Sequence, residues 1–335
     1  MRRPKSLTIL VILLVCCVCL VFCDSCSIRR ATVPYERTPY SDAFEAVLNK
    51  PDLKVLDIGN SYTNDALDLL PTVVQNCGVD VSDMSLYKLI RGGASFKNWC
   101  DVYEDKDPNS YYLKHVVGRQ LPEFIYQETA MGNGSLFRRV LSDVDWDLII
   151  IHQVSNFAPY YDLWEEDGNA GCLDKLLGII QENQPNAQIG FLLVHSYWDG
   201  FSGNQEESSL KRWRKIADSA KRLQKDYRIE FVIPYGTAVE NLRSSSLNNS
   251  FDLTADGTHC GYGLCKYTAA CCYYESLIAP RTAISCYGTP ADIDVSDRES
   301  LYPGVNVDST NSLIAQMAAI LAVQDVFHCN NPEKE

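Results

Sequence analysis

The sequence predicts an α/β fold of three layers, α/β/α, around a mostly parallel five-stranded sheet. Two observations carry that prediction. Apolar runs of 3 to 7 residues at 53–58, 84–90, 148–151, 189–194 and 231–233 suit strands buried on both faces. Segments of helical character fall between or after these runs over roughly 230 residues, and strands that alternate with helices build parallel sheets.

Taken in order, Arg2, Arg3 and Lys5 precede an uncharged apolar run at 7–22, the layout of an export signal. The run falls short of the roughly 20 apolar residues that span a bilayer, so residues 1–22 read as a cleaved signal peptide rather than a permanent span. Its end, "LVFC", resembles a bacterial lipobox, with Cys23 the candidate for lipid attachment and Cys26 a second. A soluble secreted protein and an uncleaved anchor are the two other readings. Residues 23–42, including "SIRRATVPYERTPY", lack periodicity and read as a tether.

From residue 43 to 335 a single domain is expected, with its motifs in 54–277 and an extension at 279–335. Helices are expected at 65–76, 136–141, 174–183, 210–227 and 262–277. The clearest is "LKRWRKIADSAKRLQKDY", where Leu210, Trp213, Ile216, Ala217, Ala220, Leu223 and Tyr227 form one apolar face and the basic residues a solvated one. Residues 101–135, with Pro108, Pro122 and "MGNGS", look irregular, as an insertion or lid would. The extension holds a long connection and an apolar helix, 310–327, expected to dock on the domain.

With 335 residues, 46% of them hydrophobic, the chain has ample material for a core, which argues against disorder. The net charge of −13 becomes −16 once the three basic residues of the signal are removed. That charge and the lack of a basic stripe argue against nucleic acid as a partner and disfavour a strongly anionic substrate. Of 14 cysteines, ten lie beyond Cys23, and several would pair in an oxidising compartment. No two of the ten form a CxxC and no histidine spacing completes a zinc-finger pattern, so no metal site is expected. Adjacent Cys271 and Cys272 read as two residues of a buried helix.

Ligands of open α/β sheets bind at the carboxyl ends of the strands, where this sequence places polar or glycine-rich residues every time. The strand ends carry Gly59-Asn60-Ser61, Arg91-Gly92-Gly93, His152-Gln153-Val154-Ser155-Asn156, His195-Ser196-Tyr197-Trp198 and Pro234-Tyr235-Gly236; a late loop carries Asp256-Gly257-Thr258-His259. Ester hydrolysis by serine needs a base within reach of the hydroxyl, a carboxylate to orient the base, and donors for the oxyanion. Ser61 can serve as nucleophile, His259 as base and Asp256 as its orienting acid. The N–H groups of Ser61 and Gly93, and a side-chain amide from Gln153 or Asn156, are the candidate oxyanion donors. His152 and His195 line the pocket or satisfy the interior; Tyr62, Trp99, Tyr197 and Trp198 stack on a sugar ring or belong to the core.

The blocks "KVLDIGNSYT", "RGGASFKNW", "WDLIIIHQVSN", "VIPYGTAVENLRSS" and "DLTADGTHCGYGLCKYTAACCYYESL" resemble those of the SGNH (GDSL-type) hydrolase superfamily. Within it they are most similar to a bacterial family of exported proteins named only as a domain of unknown function. The likeness covers about residues 54 to 277. It implies an SGNH/flavodoxin-like fold and a cofactor-free serine ester hydrolase working through an acyl-enzyme on Ser61. It places the second-block donor at Gly93, with Gly92 the alternative. The implied location is the cell envelope, with membrane contact only through the N-terminal lipid. The implied substrate is an O-acylated carbohydrate or another small ester, and carbohydrate O-acetylesterase is the leading activity. A lipase or aryl esterase, and a non-catalytic glycan-binding module that keeps the fold, are the alternatives. The third block departs from the superfamily's Gly-x-Asn-Asp: Val154-Ser155-Asn156-Phe157 keeps only the asparagine, whereas the narrower family's glutamine pair points to Gln153.

Overall fold

The computed structural model describes residues 40–335 apart from 126, 166–170, 202–206, 249–252, 297–303 and 335. The signal peptide, most of the tether, Cys23 and Cys26 lie outside the described residues. Seven strands form one sheet: β1 (Leu53–Gly59), β2 (Met84–Ile90), β3 (Ser110–Gly118), β4 (Glu128–Met131), β5 (Leu148–Ile151), β6 (Gln188–Leu192) and β7 (Phe231–Ile233). Their spatial order is β4-β3-β2-β1-β5-β6-β7. The five expected strands run parallel to one another, with β1 between β2 (Leu53 opposite Met84) and β5 (Val55 opposite Leu148). Central position explains the near-continuous apolar run of β1, since helices cover both of its faces.

The sheet therefore has seven strands rather than five, and residues 101–135 are not merely an insertion or lid. β3 and β4 lie there, each antiparallel to its predecessor in the sheet. Both were hidden by position: strands toward a sheet edge keep a solvated face, so β3 mixes buried Tyr111 and Leu113 with exposed Lys114, and β4 reads "ETAM". Pro108 and Pro122 stand outside both strands, where no ladder hydrogen bond is lost.

The described helices are α1 (Asp42–Leu48), α2 (Ser61–Leu67), α3 (Leu70–Cys77), α4 (Phe96–Tyr103), α5 (Ser135–Ser142), α6 (Asp162–Glu165), α7 (Leu173–Asn183), α8 (Ser209–Tyr227), α9 (Tyr235–Arg243), α10 (Leu264–Leu277), α11 (Ala279–Thr282) and α12 (Ser312–Gln324). The helix expected at 65–76 is two. Asn60 caps α2 by accepting the Tyr62 N–H at 3.0 Å, which starts it at Ser61, and Pro71 in the first turn of α3 opens the second. Every residue of α10 is buried, Cys271 and Cys272 included, because α2, α3, α9 and α12 all pack on it. α12 docks on α9 and α10, where Asn241 Nδ2 donates to Ala318 O at 2.9 Å.

The strand order reverses at β1, whose neighbours β2 and β5 lie on opposite sides. Such a switch point opens a crevice beyond the carboxyl ends, and Ser61, Gly93 and Gln153 leave the sheet around it.

Candidate active site

The chain turns from β1 directly into α2, so Ser61 is the first residue of the helix and its N–H belongs to the amides that helix geometry leaves without an intrahelical acceptor. Asn60 ties this turn to the loop after β2: its Nδ2 donates to Ala94 O at 2.9 Å. The histidine arrives from a tight turn between α9 and α10, closed by Ala255 N–H to His259 O at 3.0 Å and Gly261 N–H to Leu253 O at 2.8 Å. Asp256 folds that turn locally, its Oδ1 accepting the N–H groups of Thr258 (2.8 Å) and His259 (2.7 Å).

Three side chains stand in one line. Ser61 Oγ lies 2.9 Å from His259 Nε2, and His259 Nδ1 lies 2.7 Å from Asp256 Oδ2. Burial pushes the Asp256 carboxyl up, but hydrogen bonds from His259 and Thr258 outweigh it and hold the pKa at about 2. An ionised Asp256 keeps the proton of neutral His259 on Nδ1, which leaves the Nε2 lone pair facing the serine hydroxyl. Asp256 is 37% and His259 22% exposed, so the line opens to solvent. Tyr62 supports it from below: its hydroxyl donates to Thr258 O at 2.7 Å, and its ring stands edge-on to His259 at 5.7 Å.

Gly93 sits exposed in the loop after β2 with φ +63, a conformation that favours glycine. A Cβ there would meet nothing within 4 Å, so its backbone conformation rather than crowding calls for glycine. Gln153 is buried, and its Oε1 accepts the N–H of Val154 at 2.9 Å and of Phe96 at 3.3 Å, joining the end of β5 to the start of α4. Asn156 is exposed and accepts a hydrogen bond from the Tyr197 hydroxyl, whose ring lies 4.2 Å from the Arg212 guanidinium.

The other aromatic and histidine candidates separate. Trp99 is core, edge-on to Tyr111 and Phe137. Tyr62 and Tyr197 are buried as well. Trp198 is 36% exposed and its backbone N–H donates to Gly257 O at 2.9 Å, beside Asp256. Both His152 and His195 are buried.

Two buried networks beneath the site escaped sequence reading. In the first, Thr63 Oγ1 donates to Asp57 Oδ1 at 2.9 Å and lies 2.9 Å from His152 Nε2, which also accepts the Asn60 N–H at 3.3 Å. Gly59 makes room for it, since a Cβ there would lie 2.1 Å from His152 Nε2. Burial raises the Asp57 carboxyl to about 7, against hydrogen bonds from Thr63 and Tyr273, and burial lowers His152 to about 4. In the second, Lys266 Nζ lies 2.7 Å from Asp68 Oδ2 and 3.4 Å from Asp65 Oδ1, while Asp65 Oδ2 accepts the Cys260 N–H at 3.0 Å. Burial works against the Lys266 charge, but Asp65 and Asp68 outweigh it and raise the pKa. Asp65, His195 and Cys260 also bring three ligand-capable atoms within 4.8 Å of one another. Lys266 already supplies a cation to that carboxylate.

A mostly parallel switch-point sheet with a serine, a histidine and an aspartate in line at its carboxyl edge is the arrangement that the resemblance of the sequence blocks to the SGNH superfamily implies. More narrowly, residues 54–300 match the family described as "Domain of unknown function (DUF4886)", and the chain belongs to it. A DUF4886 family protein from Bacteroides uniformis has a similar structure, with TM-score 0.66 and 23% identity, covering 84% of this chain and 99% of that one. A candidate SGNH hydrolase from Slackia heliotrinireducens aligns with TM-score 0.42 and 16% identity over 67% of this chain and 98% of its own. A lipase/acylhydrolase from Enterococcus faecalis aligns with TM-score 0.39 and 13% identity over 66% and 93%. No curated protein matches the sequence.

Proposed function

We propose that this protein is an exported serine ester hydrolase that removes O-acetyl groups from carbohydrate. One observation carries the reading: the unbroken line from Ser61 Oγ through the His259 ring to Asp256. Ser61 Oγ attacks the ester carbonyl while His259 Nε2 takes its proton, and Asp256 stabilises the imidazolium. The oxyanion sits among the N–H groups of Ser61 and Gly93 and the Gln153 amide. Gln153 is chosen over Asn156 because its Oε1 accepts the Phe96 N–H, three residues past Gly93, which ties its amide to the loop that carries Gly93. His259 then protonates the leaving alcohol, and water, activated by the same base, releases the acyl group.

The carbohydrate part of the reading rests on Trp198, a partly exposed aromatic face next to the Asp256 turn that suits a sugar ring. Acetate release from p-nitrophenyl acetate and from acetylated xylo-oligosaccharide tests both parts. Wild type should hydrolyse both and Ser61→Ala neither, while Trp198→Ala should raise KM for the oligosaccharide alone by about 10-fold, the loss of one stacking contact of about 1.4 kcal/mol. Equal slow release by wild type and Ser61→Ala removes the enzyme reading; glycan binding that survives Ser61→Ala without turnover would favour a binding module.

A further inference from the structure

Cys260 follows His259 directly, and Cys265 stands in the first turn of α10. Both are free thiols in this structure, and the Cys265 thiol donates to Cys260 Sγ at 2.6 Å. Unbonded atoms as small as carbon already meet at about 3.5–4.0 Å, whereas disulfide sulfurs stand at about 2.05 Å. We propose that Cys260 and Cys265 form a disulfide that staples the turn carrying His259 to the start of α10.

The surroundings place both cysteines where a staple holds the site. Cys260 N–H is bound by Asp65 of α2, and Lys266, next to Cys265, pairs with Asp65 and Asp68. The cross-link closes a turn of four residues, 261–264, in which Gly263 adopts φ +91 and so lets the chain fold back. Both side chains are almost fully buried, 0% and 1% exposed. Burial pushes the Cys260 thiol well up, which makes it a poor thiolate once packed. The bond therefore forms during folding, before the turn closes over it.

The oxidant is a disulfide-bonded reagent such as glutathione disulfide. The Cys265 thiolate attacks one of its sulfurs and expels a glutathione thiolate; the Cys260 thiolate then attacks the Cys265 sulfur of the mixed disulfide and expels the second. Two protein thiols are oxidised, one glutathione disulfide is reduced to two glutathione molecules, and the protein's two protons go to the expelled thiolates.

The test is a cysteine map of the full chain, refolded in glutathione and glutathione disulfide and alkylated with iodoacetamide in denaturant without reductant. The expected result is a Cys260–Cys265 linkage, lighter by about 2 Da than the dithiol and alkylated at both positions only after reduction. In Cys260→Ser, Cys265 should take the label without reductant. Alkylation of both cysteines in unreduced wild type overturns the proposal, as does linkage of either to another cysteine. A stoichiometric metal ion removed by EDTA, with both thiols alkylatable in the denatured chain, also overturns it. The map needs no turnover, so it fails or succeeds separately from the esterase reading.

Discussion

Beneath Ser61, Asp57 and His152 are perturbed in opposite directions by the same burial. Asp57 keeps its proton to about pH 7 in the fold and to about 3.8 outside it, so its stabilising contribution is full below 3.8 and is lost as pH rises toward 7. His152 stays neutral down to about 4 in the fold and to 6.5 outside it, so its contribution is present above 6.5 and is lost as pH falls toward 4. Between those values the two slopes, each about 1.4 kcal/mol per pH unit, oppose one another. Asp57→Asn should expose the histidine slope: urea unfolding should show the variant gaining about 3 kcal/mol relative to wild type between pH 4 and 6.5. A difference that does not change with pH would refute the proton on Asp57. None of this was legible in the sequence, because Asp57, Thr63, His152 and Tyr273 meet across separations of up to 216 residues. Ser61, Asp256 and His259 were legible as candidates for local reasons: the serine stands just past an apolar strand, and the acid and base share one four-residue turn.

Among the elements, α2 and α10 hold the two halves of the site together. Asp65 of α2 and Asp68, the residue that ends it, clasp Lys266 of α10, and the 2% exposure of the Asp65 side chain makes that clasp costly to break. Lys266→Ala leaves a buried carboxylate without its cation and should cost about 3–5 kcal/mol, read as a lower urea midpoint. A midpoint unchanged from wild type would show that the pair carries no such stability. The five parallel strands were readable because burial on both faces makes their sequences apolar throughout. β3 and β4 were not, since Lys114 and Glu128 mark strands toward the edge that keep one face in water. The division of residues 65–76 was likewise readable only in hindsight, from the capping side chain of Asn60 and from Pro71.

At the scale of the whole molecule, an acidic chain carrying −13 is suited to neutral esters rather than to anionic ones. The proposed export, and the lipid anchor expected from the sequence, rest wholly on residues 1–26, outside the described residues. Mass spectrometry of the mature N-terminus should find a diacyl or triacyl group on Cys23 or Cys26; an unmodified terminus beyond Cys26 would remove the anchor. The central claim is smaller and concerns one oxygen atom, Ser61 Oγ. Treating the folded protein with a fluorophosphonate and mapping the adduct tests it most directly. A single covalent adduct on Ser61, absent in Ser61→Ala and strongly slowed in His259→Ala, is the predicted result; an adduct on another residue, or none while a control serine hydrolase is labelled, would contradict it.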